Sequence, residues 1–235
     1  MNRKAFQFKY FNVIQDKCAM KVNTDGVLLA AWAQVNSLKT ILDIGTGTGV
    51  LALMMAQKNS QAMVDAIDID EDAFLQAKEN FANSKWSDRL QAHHCALQNF
   101  VVDKKYDAII SNPPYFVDDL KAENPQKNIA KHSVTLNYAE LINGINNLLN
   151  NNGSAFIAIP AFNFLLLRKE ADKQNLFVIN KTDVISIAGK AAYLSLIELS
   201  RNQKMLTEST LTISNTDNSF TNEYIALTKD FYLKF

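Results

Sequence analysis

Asn112-Pro113-Pro114-Tyr115 follows the apolar run Ala108-Ile109-Ile110 and Ser111, and it gathers a carboxamide, a carbonyl and an aromatic ring in four residues. Proline at 113 pushes Asn112 out of the α region. Two successive prolines fix two φ angles and remove two donors, so the carbonyls are left free to accept. This equipment suits an aryl amino group, whose lone pair is spread into its ring and which becomes nucleophilic only as it turns pyramidal. The Asn112 side-chain oxygen and the Pro113 carbonyl each suit one N–H. Such bonds strengthen as positive charge develops on nitrogen, which makes them specific to the transition state. The Tyr115 ring offers a face for stacking. If a methyl group is what the nitrogen receives, no general base is required, because the methylated ammonium loses its proton readily to water. A Pro-Pro pair also ends strands without doing chemistry. Here it stands at the carboxyl end of a predicted strand, where open α/β sheets place their ligands.

A partner for this loop lies upstream. The short apolar strand Lys39-Thr40-Ile41-Leu42-Asp43-Ile44 runs into Gly45-Thr46-Gly47-Thr48-Gly49, and a helix starts near Thr48. Glycines there allow a ligand close to the backbone. A dinucleotide fingerprint needs G-x-G-x-x-G, whereas this spacing is G-x-G-x-G, with Val50 where the third glycine would stand. Asp43 would repel a pyrophosphate and suits a cationic amino acid moiety instead. The next strand, Met63-Val64-Asp65-Ala66-Ile67-Asp68, ends in acid about twenty residues beyond the turn, where a ribose-binding carboxylate belongs. Asp70, Glu71 and Asp72 read as helix N-terminal charges.

With these motifs, the chain resembles the class I S-adenosylmethionine-dependent methyltransferases of the Asn-Pro-Pro-Tyr amino-methylating type. More narrowly, it is similar to the bacterial tRNA adenine N6-methyltransferases that act at position 37, beside the anticodon of a valine tRNA. The narrower likeness rests on Met20-Lys21-Val22-Asn23-Thr24-Asp25-Gly26-Val27-Leu28-Leu29 with Ala31-Trp32-Ala33, on the opening Phe6-Gln7-Phe8-Lys9-Tyr10-Phe11, and on the ending Tyr224-Ile225-Ala226-Leu227-Thr228-Lys229-Asp230-Phe231-Tyr232. The resemblance implies S-adenosyl-L-methionine as cofactor, tRNA as partner, and Asn112, Pro113, Pro114 and Tyr115 as the catalytic set. It assigns Thr24, Asp25, Asp43, Gly45, Thr46, Gly47, Asp68 and Leu97 to the cofactor. Arg3, Lys4, Lys127, Lys131 and His132 are the candidates for RNA contact. Related enzymes often end a third strand in an acid that meets the cofactor's adenine. Here Leu90-Gln91-Ala92-His93-His94-Cys95 runs into Ala96-Leu97-Gln98, which leaves that contact to the Leu97 backbone N–H or to Gln98. Where relatives carry Arg-His, this chain has Lys131-His132, which keeps the charge and loses the bidentate fork.

The implied fold is α/β: a Rossmann-like, mostly parallel seven-stranded sheet with helices on both faces. The pattern predicts helices over 24–36, 48–59, 70–83, 136–149 and 162–173. It predicts strands near 40–44, 63–68, 90–95, 106–111, 154–159, 176–187 and 193–200, and Asn150-Asn151-Asn152-Gly153 as a turn. A single domain spanning 1–235 is expected, with a short N-terminal extension over about 1–36. The polar stretch between Phe116 and Asn137 reads as a lid over the base.

Composition narrows the alternatives. The chain has 235 residues, 48% of them hydrophobic, and its 24 basic residues balance its 24 acidic ones. That balance argues against a globally basic nucleic-acid binder and leaves room for a locally basic N-terminal segment with Arg3, Lys4, Lys9, Lys17 and Lys21. Cys18 and Cys95 form no C-x-x-C pair and read as free thiols of a cytoplasmic protein. His93 and His94 point to opposite faces of a strand, so no metal site is expected. No apolar run approaches a membrane span. Two other readings compete with RNA methylation. A glutamine side-chain amide presents the same planar NH2, although protein N5-methyltransferases of that type carry an additional N-terminal helical domain. A cofactor-binding RNA chaperone with an inactive site is the non-enzymatic alternative, and the intact Asn112-Pro113-Pro114-Tyr115 stands against it.

Overall fold

The computed structural model describes residues 5–114 and 137–234. Its frame is one eight-stranded sheet. In chain order the elements that build it are β3 (Thr40–Ile44), β4 (Met63–Asp68), β5 (Leu90–His94), β6 (Tyr106–Ser111), β7 (Leu149–Pro160), β8 (Phe177–Ile187), β9 (Leu194–Ser200) and β10 (Thr207–Ser214). Their spatial order is β10-β8-β9-β7-β6-β3-β4-β5. All neighbours pair in parallel except those of β9, which runs antiparallel to both β7 and β8. The first seven strands follow the expected architecture. The eighth, β10, adds an edge beyond it.

Strand parity divides the side chains between two cores. Ile41, Val64, Ala66, Ala108 and Ile110 face α1 (Thr24–Trp32), α2 (Val50–Lys58) and α3 (Glu71–Ala82). Leu42, Ile44, Ile67 and Ile109 face α4 (Tyr138–Leu148) and α5 (Phe164–Lys173). Since successive strand residues alternate faces, Asp43 and Asn112 fall on the α1/α2 side, in step with Ile41 and Ile110.

The helices start where side chains can satisfy their first N–H groups. Asn23 accepts from Gly26 N at 2.9 Å, Asp70 accepts from Ala73 N at 2.8 Å, and Asn137 and Glu140 form a reciprocal capping box. α1 stops at Trp32 instead of running to 36. Lys58 Nζ takes the carbonyls of Ala30 (3.1 Å), Ala31 (2.6 Å) and Ala33 (2.5 Å), groups that a longer helix would have used internally. Asn150-Asn151-Asn152-Gly153 lies within β7 rather than in a separate turn. The residues are absorbed where the register against β6 shifts, between the pairs Tyr106↔Leu149 and Ala108↔Ser154.

The chain ends meet. A small hairpin, β1 (Phe6–Gln7) and β2 (Asn12–Val13), packs against the segment after α6 (Asn222–Thr228). Phe8 bridges to Tyr232, and Lys9 N donates to the Phe231 carbonyl at 2.8 Å. The Phe8 ring stacks on Phe11 at 4.6 Å and on Tyr232 at 6.0 Å. No helix among the described residues is long and apolar enough to cross a membrane.

Candidate active site

β3 and β6 lie side by side, with Asp43 opposite Ile110 and Ile44 opposite Ser111. The sheet order reverses between them, which opens a crevice at their carboxyl ends. The glycine turn leaves β3 and Asn112 leaves β6 at that point, and Ser111 Oγ ties the two strand ends by donating to the Ile44 carbonyl at 2.9 Å. A cleft of about 580 Å³ occupies the crevice.

The turn is shaped by left-handed backbone. Gly45 and Gly47 have φ of +70° and +54°, and a Cβ on either would meet nothing within 4 Å. Their backbone is therefore bare toward the cleft they line. Gly49, at φ +82°, differs: its Cβ would stand 2.6 Å from Phe81 Cε1, so this glycine lets α2 and α3 pack. The Gly45 and Thr46 N–H groups donate to the Ile67 carbonyl at 2.9 and 3.0 Å, and Gly47 N donates to Asp68 Oδ2 at 2.8 Å.

Asp43 lies fully buried beneath this turn. Its Oδ2 accepts from Thr46 Oγ1 at 2.6 Å and from Ala52 N at 3.2 Å, while Oδ1 has no partner. Burial pushes its carboxyl from 3.8 up to about 7, against the lowering effect of the Thr46 and Ala52 bonds. A buried, half-satisfied carboxylate costs free energy unless a cation or donor completes it.

Asp68 lines the cleft at the end of β4, and burial raises its carboxyl too, opposed by donors from Asp70 N and Gly47 N. The field of these acids registers on Cys18, which also lines the cleft. Burial, then the charges of Asp68, Asp70, Asp72 and Asp16, push its thiol up to about 12. A cleft of this polarity favours a cationic ligand over a pyrophosphate.

Across the cleft stand Asn112, Pro113 and Pro114. Asn112 Oδ1 is buried without a hydrogen-bond partner. Its amide is held against α1: a Cβ at Gly26 would lie 3.4 Å from Asn112 Nδ2 and 3.2 Å from Leu51 Cδ1. The absent side chain at 26 thus makes room for the Asn112 carboxamide.

The sequence-predicted residues divide into groups. Gly45, Thr46, Gly47, Asp68, Leu97, Asn112, Pro113 and Pro114 all line the cleft. Leu97 is wedged into the single helical turn Leu97–Asn99, where only a glycine at 144 leaves it space; a Cβ there would be 2.5 Å from Leu97 Cδ2. Asp43 sits behind the cleft wall instead of on it. Thr24 and Asp25, also expected at the cofactor, are not among the residues lining the cleft. They open α1, and its flanking Asn23 and Gly26 reach the cleft instead, while Asp25 Oδ1 accepts the Tyr193 hydroxyl at 2.9 Å. Tyr115, Arg3, Lys4, Lys127, Lys131 and His132, like the lid expected over 116–137 but for Asn137, lie outside the described residues.

Sequence reasoning missed Ile69, Met20 and Glu140, which also line the cleft. Ile69 is 55% exposed. Its signal was an apolar residue set between the acids Asp68 and Asp70, with nothing in the local pattern to bury it. His93 is engaged elsewhere, donating to or accepting from Asp65 at 2.9 Å; Asp65 also takes Tyr106 Oη at 2.7 Å and Lys104 Nζ at 2.5 Å. Burial alone would raise the Asp65 carboxyl, but the bonds from Lys104, His93 and Tyr106 hold it below its usual value.

Comparison with known proteins agrees with this geometry. Residues 18–162 match the methyltransferase small domain family. A tRNA1(Val) (adenine(37)-N6)-methyltransferase of Flavobacterium psychrophilum is 43% identical over 232 residues, covering 97% of this chain and 99% of the relative. The protein of the same name from Trichodesmium erythraeum is 40% identical over 239 residues, covering both chains in full. Among solved structures, a predicted O-methyltransferase from Agrobacterium tumefaciens superposes with a TM-score of 0.71 at 16% identity, over 88% of this chain and 96% of that one. TrmN from Thermus thermophilus gives 0.55 at 19% identity, over 74% and 47%. These last two show the Rossmann-like fold alone. By identity over its whole length and by its matched domain, the chain is a methyltransferase and belongs to the tRNA1(Val) (adenine(37)-N6)-methyltransferase family.

Proposed function

We propose that this chain methylates the exocyclic N6 of adenine 37 in the anticodon loop of a valine tRNA, with S-adenosyl-L-methionine as donor. The observation that carries the reading is the pair of buried oxygens left without partners beside one crevice, Asp43 Oδ1 behind the glycine turn and Asn112 Oδ1 in its lining. One suits an ammonium; the other suits the N–H of an aryl amine. When bound, S-adenosylmethionine supplies a methyl group on a sulfonium, electrophilic without further activation.

The chain's own residues do the rest. The charge of Asp43, buried behind the turn, attracts the amino acid ammonium, and the bare backbone of Gly45 and Gly47 admits the amino acid portion. Asp68 takes the ribose hydroxyls in exchange for the Gly47 N–H it now holds at 2.8 Å. The exposed Ile69 and the Leu97 turn flank the purine, with the Leu97 N–H or Gln98 as its polar contact.

Asn112 Oδ1 and the Pro113 carbonyl accept the two N–H bonds of the target amine. They draw its lone pair out of conjugation and hold it toward the methyl group. As the new N–C bond would form at the expense of the donor's S–CH3 bond, with a neutral thioether as the leaving group, nitrogen becomes cationic and both hydrogen bonds strengthen; one proton then leaves to water. Tyr115 stacks on the target ring, and Arg3, Lys4, Lys127, Lys131 and His132 hold flanking phosphates.

Purified protein, labelled S-adenosylmethionine and unmodified tRNA, followed by digestion to nucleosides, test this directly. Label in N6-methyladenosine is expected. Label in protein glutamine, or none in RNA, would overturn it.

A further inference from the structure

Beyond the target base itself, the sheet edge carries an aromatic side chain that the site described above does not use. Phe162 is 81% exposed, and Leu165, one turn later, is 73% exposed. Phe162 is not on a loose loop. It stands in the single helical turn Ala161–Asn163 immediately after β7, between two residues that are both anchored. Ala161 N donates to the Tyr193 carbonyl at 3.0 Å, and the buried Asn163 Nδ2 donates to Tyr138 Oη at 3.1 Å.

Both anchors lead back to the cleft. Tyr193 holds Asp25, next to the cleft-lining Gly26. Tyr138 stands two residues before the cleft-lining Glu140 on the same helix. β7 is also the parallel neighbour of β6, with Ile157 opposite Ser111, so Phe162 leaves the sheet at the same carboxyl edge as Asn112. Lys190, in the turn that ends at Tyr193, and Lys169, seven residues after Phe162 on α5, are exposed and enter no ion pair among the described residues.

We infer that Phe162 is a substrate-positioning residue: its ring stacks on a nucleobase adjacent to the methylated one, with Lys169 and Lys190 holding the neighbouring phosphates. The inference rests on the proposed RNA substrate and adds to it the contact that fixes the strand across the mouth of the site. An aromatic ring presented on a rigid turn loses little entropy on stacking, and any base has a face to offer it. Charge selects the occupant, since an exposed aromatic ring on an edge that also carries the exposed Lys190, with Lys169 two helical turns further along, suits a polyanion carrying flat bases.

The test compares Phe162→Ala, Phe162→Leu and Phe162→Trp in the full chain. Because the side chain is exposed, all three are expected to fold and to bind S-adenosylmethionine as the wild type does. With tRNA as substrate, Phe162→Ala and Phe162→Leu should raise KM by roughly tenfold, with kcat within about twofold. Phe162→Trp should restore KM, and its added indole fluorescence should be quenched by tRNA beyond the quenching seen in the wild type. An unchanged KM in Phe162→Ala, or a Phe162→Leu variant as good as the wild type, overturns the stacking role while leaving RNA methylation standing. A wild-type protein that methylates no tRNA overturns both.

Discussion

Replacing Asp43 by asparagine separates the electrostatic cost of the proposed cofactor site from its benefit. Asp43 is fully buried, with one oxygen unpartnered, and burial pushes its carboxyl from 3.8 to about 7. A folded-state value above the unfolded one means that the group's stabilising contribution is whole below 3.8 and is lost as pH rises through about 7. Integrated from about pH 5 to about pH 8, that loss is roughly 2–3 kcal/mol. Asparagine does not titrate, keeps an acceptor for Thr46 and Ala52, and escapes the loss. For a chain of this length each kcal/mol moves Tm by about 2–4 °C. The Tm of Asp43→Asn relative to the wild type should therefore improve by about 5–10 °C on going from about pH 5 to about pH 8, in thermal melts without cofactor. Calorimetry should show the opposite trend for binding. An ammonium favours the ionised carboxylate, so the wild type's affinity for S-adenosylmethionine should weaken below about pH 7, while the variant's should be weak throughout. A Tm difference that stays constant across this pH range would refute the strained carboxyl.

Asn112→Ala should lower turnover by roughly two to three powers of ten with little change in cofactor affinity, as measured by single-turnover kinetics beside calorimetry; equal losses in both would make this loop structural. Two glycines should behave differently. Gly49→Ala drives a Cβ to 2.6 Å from Phe81 and should lose roughly 2–4 kcal/mol in urea melts, whereas Gly45→Ala meets no atom, should cost about 1–2 kcal/mol, and should weaken cofactor binding. Tyr106→Phe deletes a 2.7 Å donor to Asp65 on the sheet face opposite Asp43, so it should cost about 1–2 kcal/mol of stability and leave kcat intact. Affinity for tRNA should fall steeply with salt, and charge reversal at Lys127 and Lys131 should flatten that dependence without affecting cofactor binding.

The strands that build the crevice were legible because they are short, largely apolar runs, each with one internal aspartate, that end at a turn former or a polar residue: Thr40–Ile44 before Gly45, Met63–Asp68 at an acid, Tyr106–Ser111 before Asn112. What escaped depends on residues far away in the chain. The end of α1 at Trp32 is held partly by Gln34, which donates to the Trp32 carbonyl at 3.0 Å, and mostly by Lys58, from 25 residues or more away. β10 is mostly serine and threonine, with Leu211 and Ile213 alone facing the core, so neither hydrophobicity nor alternation announced it. Asp25, expected at the cofactor, also accepts the hydroxyl of Tyr193, 168 residues later, a contact no local pattern announced. The opening and closing segments were legible only as a family likeness. Their physical reason is the contact of Phe8 with Tyr232, which joins them into one aromatic layer.

Mass spectrometry of valine tRNA from a strain lacking this protein tests the central claim most directly. N6-methyladenosine at position 37 should disappear and return when the wild-type chain is supplied, but not when Asn112→Ala is. A methyl group at position 37 that persists unchanged without the protein would contradict it.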